Sequence, residues 1–210
     1  MKELKLIIAD DHLIVRKGVS SLLKMSYDKI EIKEVGGFNE IIPLLKNFKA
    51  QILLLDINIP GGNCTGMIKE IRQVNEEIYI LMFSGYDESS YALRYIKAGA
   101  NGFLSKDASE EEIIAAISVL LKTGKYISPF VQEKILSSML FDIPMNPLKK
   151  LSKRELEVAE LLTNGERVLE ISNELHVQPS TISTYKNRIF EKLKVSNLVD
   201  LVELFKVYRD

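Results

Sequence analysis

Short, continuous apolar runs alternate with amphipathic stretches over the first 122 residues. Strand-like runs fall near residues 4–9, 30–35, 51–55, 78–83 and 101–104, and helical patterns near 12–25, 38–48, 65–74, 88–98 and 109–122. The last of these carries Ile113, Ile114, Ile117, Leu120 and Leu121 at helical spacing. Ser109 heads it as N-cap, with Glu112 as its capping-box partner. Runs that are apolar throughout, rather than alternating, are those of parallel strands covered on both faces. Five strand–helix units in succession predict an α/β fold with a doubly wound parallel sheet.

After Gly124 the pattern changes. Ser128-Pro129 opens a short apolar helix to about Phe141, which the prolines of Pro144-Met145-Asn146-Pro147 interrupt. From Leu148 to Asp210 the chain reads as helices only. Ser152 caps a helix through Leu162 that Gly165 closes, with Glu155 completing the capping box. Helices near 167–175, 180–194 and 197–208 follow. The expected architecture is a flavodoxin-like (βα)5 domain with strand order 2-1-3-4-5, then a small all-α four-helix domain. Its expected limits are residues 1–122, a linker with a short helix at 123–147, and 148–210.

Four of the apolar runs end in chemistry. Leu6-Ile7-Ile8-Ala9 leads into Asp10-Asp11, Ile52-Leu53-Leu54-Leu55 into Asp56, Ile78 to Phe83 into Ser84, and Gly102-Phe103-Leu104-Ser105 into Lys106. Singly, an Asp after a strand is usually a cap, a Ser-Gly a turn, a lysine solvated. Open α/β sheets bind ligands beyond the carboxyl ends of their strands, so together these residues converge on one spot. A strand-end carboxylate such as Asp56 can accept a phosphoryl group. The negative charge that builds up needs a cation, and Asp10 and Asp11 are suited to holding Mg²⁺. Lys106 can place a point charge on the phosphoryl group and Ser84 can donate a hydrogen bond to it.

In the helical half, Val177-Gln178-Pro179-Ser180 ends one short helix and starts another, the signature of a helix-turn-helix. Ile182, Ile189 and Leu193 form the apolar face of the second helix. Ser183, Thr184, Asn187 and Arg188 lie opposite, where a recognition helix meets the major groove. Asn pairs with adenine and Arg with guanine, whereas Thr181, Tyr185, Lys186 and Lys192 suit phosphate contacts. Charge supports this locally. From Leu148 onward there are 11 basic and 10 acidic residues, but Pro179 to Lys194 holds four basic and one acidic.

Composition narrows the class further. Over 210 residues, 46% hydrophobic and 27% charged content is that of an ordinary globular protein, and the net charge of -1 gives no global basic field. A lone cysteine, Cys64, forms no internal disulfide and suits a reducing cytosol. There is no signal-peptide pattern and no apolar stretch near the roughly 20 residues that span a bilayer. A cytoplasmic protein without membrane partners is expected.

These motifs also resemble a known family. "ADDHLIVRKGV" (9–19), "LLLDINIPGG" (53–62) and "GANGFLSKDASEEEIIAAI" (99–117) resemble the receiver domains of two-component response regulators of the NarL/FixJ family. "LSKRELEVAELLTNG" and "STISTYKNRIFEKLKV" are similar to the LuxR-type helix-turn-helix found beside such receivers. The resemblance implies Asp56 as phosphoacceptor, Ser84 as switch hydroxyl, Lys106 as phosphate contact and Phe103 as an aromatic switch that swings inward. It implies Mg²⁺ held by Asp10, Asp11, Asp56 and the main-chain carbonyl of Asn58. It implies a sensor histidine kinase and double-stranded promoter DNA as partners, homodimerisation on phosphorylation, and RNA polymerase as a further partner. Such a protein is a regulator rather than an enzyme, although it accepts a phosphoryl group and can lose it.

Some residues depart from the family pattern. The loop after Pro60 is two residues longer than usual, Gly85 replaces the usual Ala, and Asn58 and Tyr86 would flank the path of hydrolytic water. Val168-Leu169 replaces a polar pair, and Ser183 sits where lysine is common. A regulator that works without phosphorylation would share this architecture. An aspartyl-phosphate phosphatase would want a second acid where Asn58 stands, together with a cap domain. A small-molecule-sensing LuxR-type regulator would want an apolar pocket in the N-terminal half.

Overall fold

The computed structural model describes residues 3–63, 65–86, 88–141 and 146–208. Pro144 and Met145 of the expected break, and Cys64, lie outside the described residues. The chain divides into two compact units, Met1–Leu136 and Ser137–Asp210.

The first unit alternates β1 (Leu4–Ala9), α1 (Leu13–Ser26), β2 (Ile30–Val35), α2 (Phe38–Asn47), β3 (Ile52–Asp56), α3 (Gly66–Val74), β4 (Tyr79–Ser84), α4 (Glu88–Lys97), β5 (Gly102–Ser105) and α5 (Glu110–Thr123). The strands form one five-stranded sheet in the order β2-β1-β3-β4-β5, every pairing parallel, as the apolar runs predict. Alternate strand residues face opposite sides. Leu6, Ile8, Leu54, Leu81 and Leu104 share a core with Val19 and Leu23 of α1 and Ile113, Ile117 and Leu120 of α5. Their neighbours Ile7, Leu53, Ile80, Met82 and Phe103 are just as buried, so both faces of the central strands are covered, while the edge strand β2 leaves Lys33 exposed. The helices dock through the apolar stripes that the spacing predicts.

Register places the chemistry. Ala9 pairs with Leu55, Asp56 with Phe83 and Ser84 with Ser105, so the four chemical strand ends finish in one row. β3 and β4 run one residue further than the apolar pattern suggests, because the ladder continues through Asp56 and Ser84. The capping box of α5 forms as expected: Ser109 Oγ accepts from Glu112 N at 3.3 Å, and Glu112 Oε2 accepts from Ser109 N at 2.9 Å. The longer loop after Pro60 folds into a compact turn. Gly62 N donates to Ile59 O at 3.0 Å, and Pro60 O accepts from Phe38 N at 2.9 Å. Gly61 takes a left-handed φ of 80°, and Gly62 packs so close to Met67 Sδ that a side chain there would collide.

Helix α6 (Pro129–Phe141) follows, then a single 3₁₀ turn at Pro147–Lys150. The second unit's main helices are α7 (Lys153–Thr163), α8 (Val168–Glu174), α9 (Pro179–Leu193) and α10 (Leu198–Tyr208). Ser152 caps α7 through Glu155, and Gly165 at φ 94° closes the turn after it. Between α8 and α9, His176 adopts a left-handed φ of 52° and Pro179 opens α9, where its missing N–H costs nothing. Val158, Leu162, Ile171, Ile182, Ile189, Leu201 and Phe205 make a core of their own.

Candidate functional site

At the carboxyl edge of the sheet, Asp10 and Asp56 are 1% and 4% exposed. Lys106 Nζ stands between them, 2.7 Å from Asp10 Oδ2 and 3.1 Å from Asp56 Oδ2. The lysine is brought there by its own main chain, since Lys106 N donates to Ser84 O at 2.8 Å. Asp11 is exposed beside this pair, with His12 Nδ1 2.7 Å from Asp11 Oδ1 and 3.3 Å from Asp10 Oδ1. Ligand atoms of Asp10, Asp11, His12 and Asp56 all lie within 4.8 Å of one another.

The electrostatics follow from burial. Burial pushes the Asp56 carboxyl above the ordinary carboxylate value, with Asp10 adding to the rise. Lys106 and the main-chain N–H of Asn58 pull it partway back. Burial alone would lower Lys106, but its hydrogen bonds and charge pairing with Asp10 and Asp56 win and hold it above its ordinary value. A set of carboxylate oxygens of this kind is a hard-ligand cluster, and it fits a small divalent cation such as Mg²⁺. The charge balance supports that fit: the buried Asp10 and Asp56 carboxylates share the one Lys106 ammonium, which leaves negative charge for a cation to offset.

Around this cluster, Ser84 is buried and its Oγ accepts from Tyr86 N at 3.1 Å. Asn58 Nδ2 donates to the Tyr86 hydroxyl at 2.6 Å. The Tyr86 ring stacks on Tyr91 of α4, centroids 4.8 Å apart and planes 13° apart. A side chain at Gly85 would meet open space. Phe103 is 1% exposed. Alternation along β5 sets it on the face opposite Leu104, within the covered sheet.

In the second unit, α9 buries Ile182, Ile189 and Leu193 and exposes Ser183, Thr184, Asn187 and Arg188, the two faces that the sequence predicts. Thr181, Tyr185 and Lys186 are half-buried, with Lys186 Nζ 5.4 Å from the Phe190 ring centre. The hydroxyls of Ser183 and Thr184 are turned back onto the helix, donating to Pro179 O at 3.1 Å and Ser180 O at 2.9 Å. Lys192 differs from the other candidate phosphate contacts. Its Nζ is held 2.7 Å from Oε2 of the buried Glu155, so it ties the start of α7 to the end of α9.

Residues 6–118 match the response regulator receiver domain, and residues 149–205 match the bacterial regulatory proteins of the luxR family. The chain belongs to the response regulators. It is of the NarL/FixJ type, a receiver followed by a LuxR-type DNA-binding domain. It is 29% identical over 205 residues to response regulator UvrY of Escherichia coli, covering 96% of this chain and 93% of that one. To response regulator GacA of Pseudomonas aeruginosa it is 28% identical over 202 residues, covering 96% and 94%. A solved structure of RcsB from Salmonella enterica serovar Typhimurium, bound to promoter rprA in the presence of phosphomimetic BeF3−, superposes with a TM-score of 0.68 at 25% identity. It covers 96% of this chain and 98% of that one.

Three contacts of this response regulator go beyond what its sequence suggests. His12 and Arg16 lie inside the first receiver motif, yet neither is a strand end. The only signal was their short spacing from Asp10-Asp11. Arg16 Nη1 donates to the Asp10 main-chain carbonyl at 2.5 Å. The Glu155–Lys192 pair spans 37 residues, a separation that no local pattern encodes.

Proposed function

We propose that Asp56 is the phosphoacceptor of this regulator and a sensor histidine kinase its donor. The observation that carries the reading is Lys106 Nζ, seated between the buried Asp10 and Asp56 carboxylates. An Asp56 oxygen attacks the donor's phosphorus, the bond from phosphorus to the donor breaks, and the donor leaves with that electron pair. Asp10, Asp11, Asp56 and the Asn58 carbonyl would hold Mg²⁺, which neutralises charge on the phosphoryl oxygens when bound. Lys106 then pairs with the phosphoryl group. Ser84 Oγ, which accepts from Tyr86 N, reorients its hydroxyl proton toward the new oxygens. Phe103, buried on β5, is the aromatic switch that follows the movement of Ser84.

The added charge shifts the balance between two arrangements of the α4-β5-α5 face, and it can do so only by the amount it stabilises one over the other. The favoured arrangement pairs two chains, and the paired helix-turn-helix domains read half-sites about one helical turn apart. Asn187 and Arg188 are the base-reading residues. Ser183 and Thr184 lie beside them, and Thr181, Tyr185, Lys186 and Lys192 approach phosphates. Residues 1–122 form the receiver, 123–147 the linker and 148–210 the DNA-binding domain. The protein works in the bacterial cytoplasm as a regulator rather than an enzyme, with RNA polymerase as a further partner. Among the described residues no helix is long and apolar enough to cross a membrane.

The test is DNA binding before and after treatment with a small phosphodonor and Mg²⁺. Tighter binding that needs Asp56 supports the reading. Wild-type binding that the phosphodonor leaves unchanged, or that it tightens just as much in Asp56→Asn, sinks it.

A further inference from the structure

We propose that Arg16 is a positioning residue of the acidic site and Glu34 its anchor, together holding the β1–α1 turn ready for a divalent cation. This rests on the reading of Asp10, Asp11 and Asp56 as the metal site. Arg16 lies in the first turn of α1, with its side chain only 15% exposed. Nη1 donates to Asp10 O at 2.5 Å, while Nε is fully buried, makes no hydrogen bond and faces Glu34 Oε2 at 3.9 Å. Glu34 is 18% exposed and is also held by Lys17 at 3.1 Å. Burying a guanidinium costs free energy unless its charge and donors are paired, and the partners here are the Asp10 carbonyl and Glu34.

What it does follows from the turn. Asp10 N donates to Val35 O at 3.2 Å, and Asp10 Oδ1 accepts from His12 N at 2.8 Å. The arginine supplies the third tie, on the carbonyl. The turn must hold the Asp10 and Asp11 carboxylates side by side near Asp56, and their mutual repulsion works to open it. Lys106 relieves that repulsion by occupying Asp10 Oδ2 and Asp56 Oδ2, the oxygens a cation would need. Arg16 brings positive charge through the Asp10 main-chain carbonyl and so itself occupies none of the site's carboxylate oxygens. Groups that fix metal ligands from behind typically matter about 10–100-fold to metal affinity.

The experiment is calorimetric titration of the full chain with Mg²⁺, with melting temperatures measured alongside. Val19→Ala, on the same helix but in the core, controls for loss of stability. Arg16→Ala should raise the Mg²⁺ dissociation constant about tenfold, Arg16→Lys and Glu34→Gln by less, and Val19→Ala not at all. The wild-type constant in Arg16→Ala, or equal weakening in Val19→Ala, overturns the inference and leaves the metal site standing. If Arg16→Ala does not fold, Arg16→Lys and Glu34→Gln decide by the same measure, and unchanged constants in both overturn it. A wild type that binds no Mg²⁺, or binds it as tightly after Asp11→Asn, overturns the metal reading and this inference with it.

Discussion

Asn58 donates from Nδ2 to the Tyr86 hydroxyl at 2.6 Å, joining the loop after β3 to the loop after β4 beside Asp56. The Tyr86 ring is held in turn on Tyr91, which is 5% exposed. With Asp56 as the proposed phosphoacceptor, this bridge would flank the path of the hydrolytic water. Tyr86→Phe keeps the ring and removes the hydrogen bond, which is worth about 1 kcal/mol and hence about fivefold in hydrolysis rate. Tyr86→Ala removes the stack as well and should hydrolyse faster still. Decay of the phosphorylated fraction over time measures both. A wild-type lifetime in Tyr86→Phe would mean the bridge does not govern water access.

Asp56 should destabilise the fold it serves. Its carboxyl is pushed up by burial, so the folded chain binds that proton more tightly than the unfolded one. Its contribution favours the fold below the ordinary value of 3.8 and is lost as pH rises through the folded value. Asp56→Asn should therefore melt at a higher temperature than wild type at pH 7, with the gap closing on acidification. Thermal melts across pH check this, and a lower melting temperature at pH 7 would contradict it.

Glu155 has the opposite sign. Its hydrogen bond from Lys192 depresses its carboxyl from 4.5 to about 2, and the capping contacts from Ser152 add to this against the opposing effect of burial. The resulting stability is fully present above pH 4.5 and is lost as pH falls toward 2. Lys192→Met should cost on the order of 1 kcal/mol at neutral pH after solvent screening, and almost nothing near pH 2. Denaturant unfolding at several pH values reads the difference. Unchanged stability together with a reduced salt dependence of DNA binding would instead make Lys192 a phosphate contact first.

On the recognition helix, Ser183→Lys restores a cation to an exposed position whose hydroxyl is otherwise bonded to its own backbone. DNA affinity should rise, and the slope of log affinity against log salt should steepen by about one. Arg188→Ala should lose about 1–3 kcal/mol at one base position and little elsewhere. An unchanged slope in Ser183→Lys would place residue 183 away from DNA.

The sheet and the strand-end row were legible because four of the five parallel strands leave apolar runs, and each of those four stops at a chemical residue. Both capping boxes were legible because they are local. The ties from Arg16 to the Asp10 carbonyl and from Lys192 to Glu155 were not. Those depend on which elements pack together, which no local pattern encodes. Where the extra loop residues after Pro60 would go was equally hidden, because closing that turn depends on contacts with α2 and Met67.

The measurement that bears most directly on the role of Asp56 is intact-mass analysis after incubation with a small phosphodonor, with and without Mg²⁺, in wild type and Asp56→Asn. One phosphoryl group per wild-type chain is expected, formed only with Mg²⁺, and none on Asp56→Asn. A phosphoryl group that persists in Asp56→Asn, or a wild type that takes up none, would contradict that role.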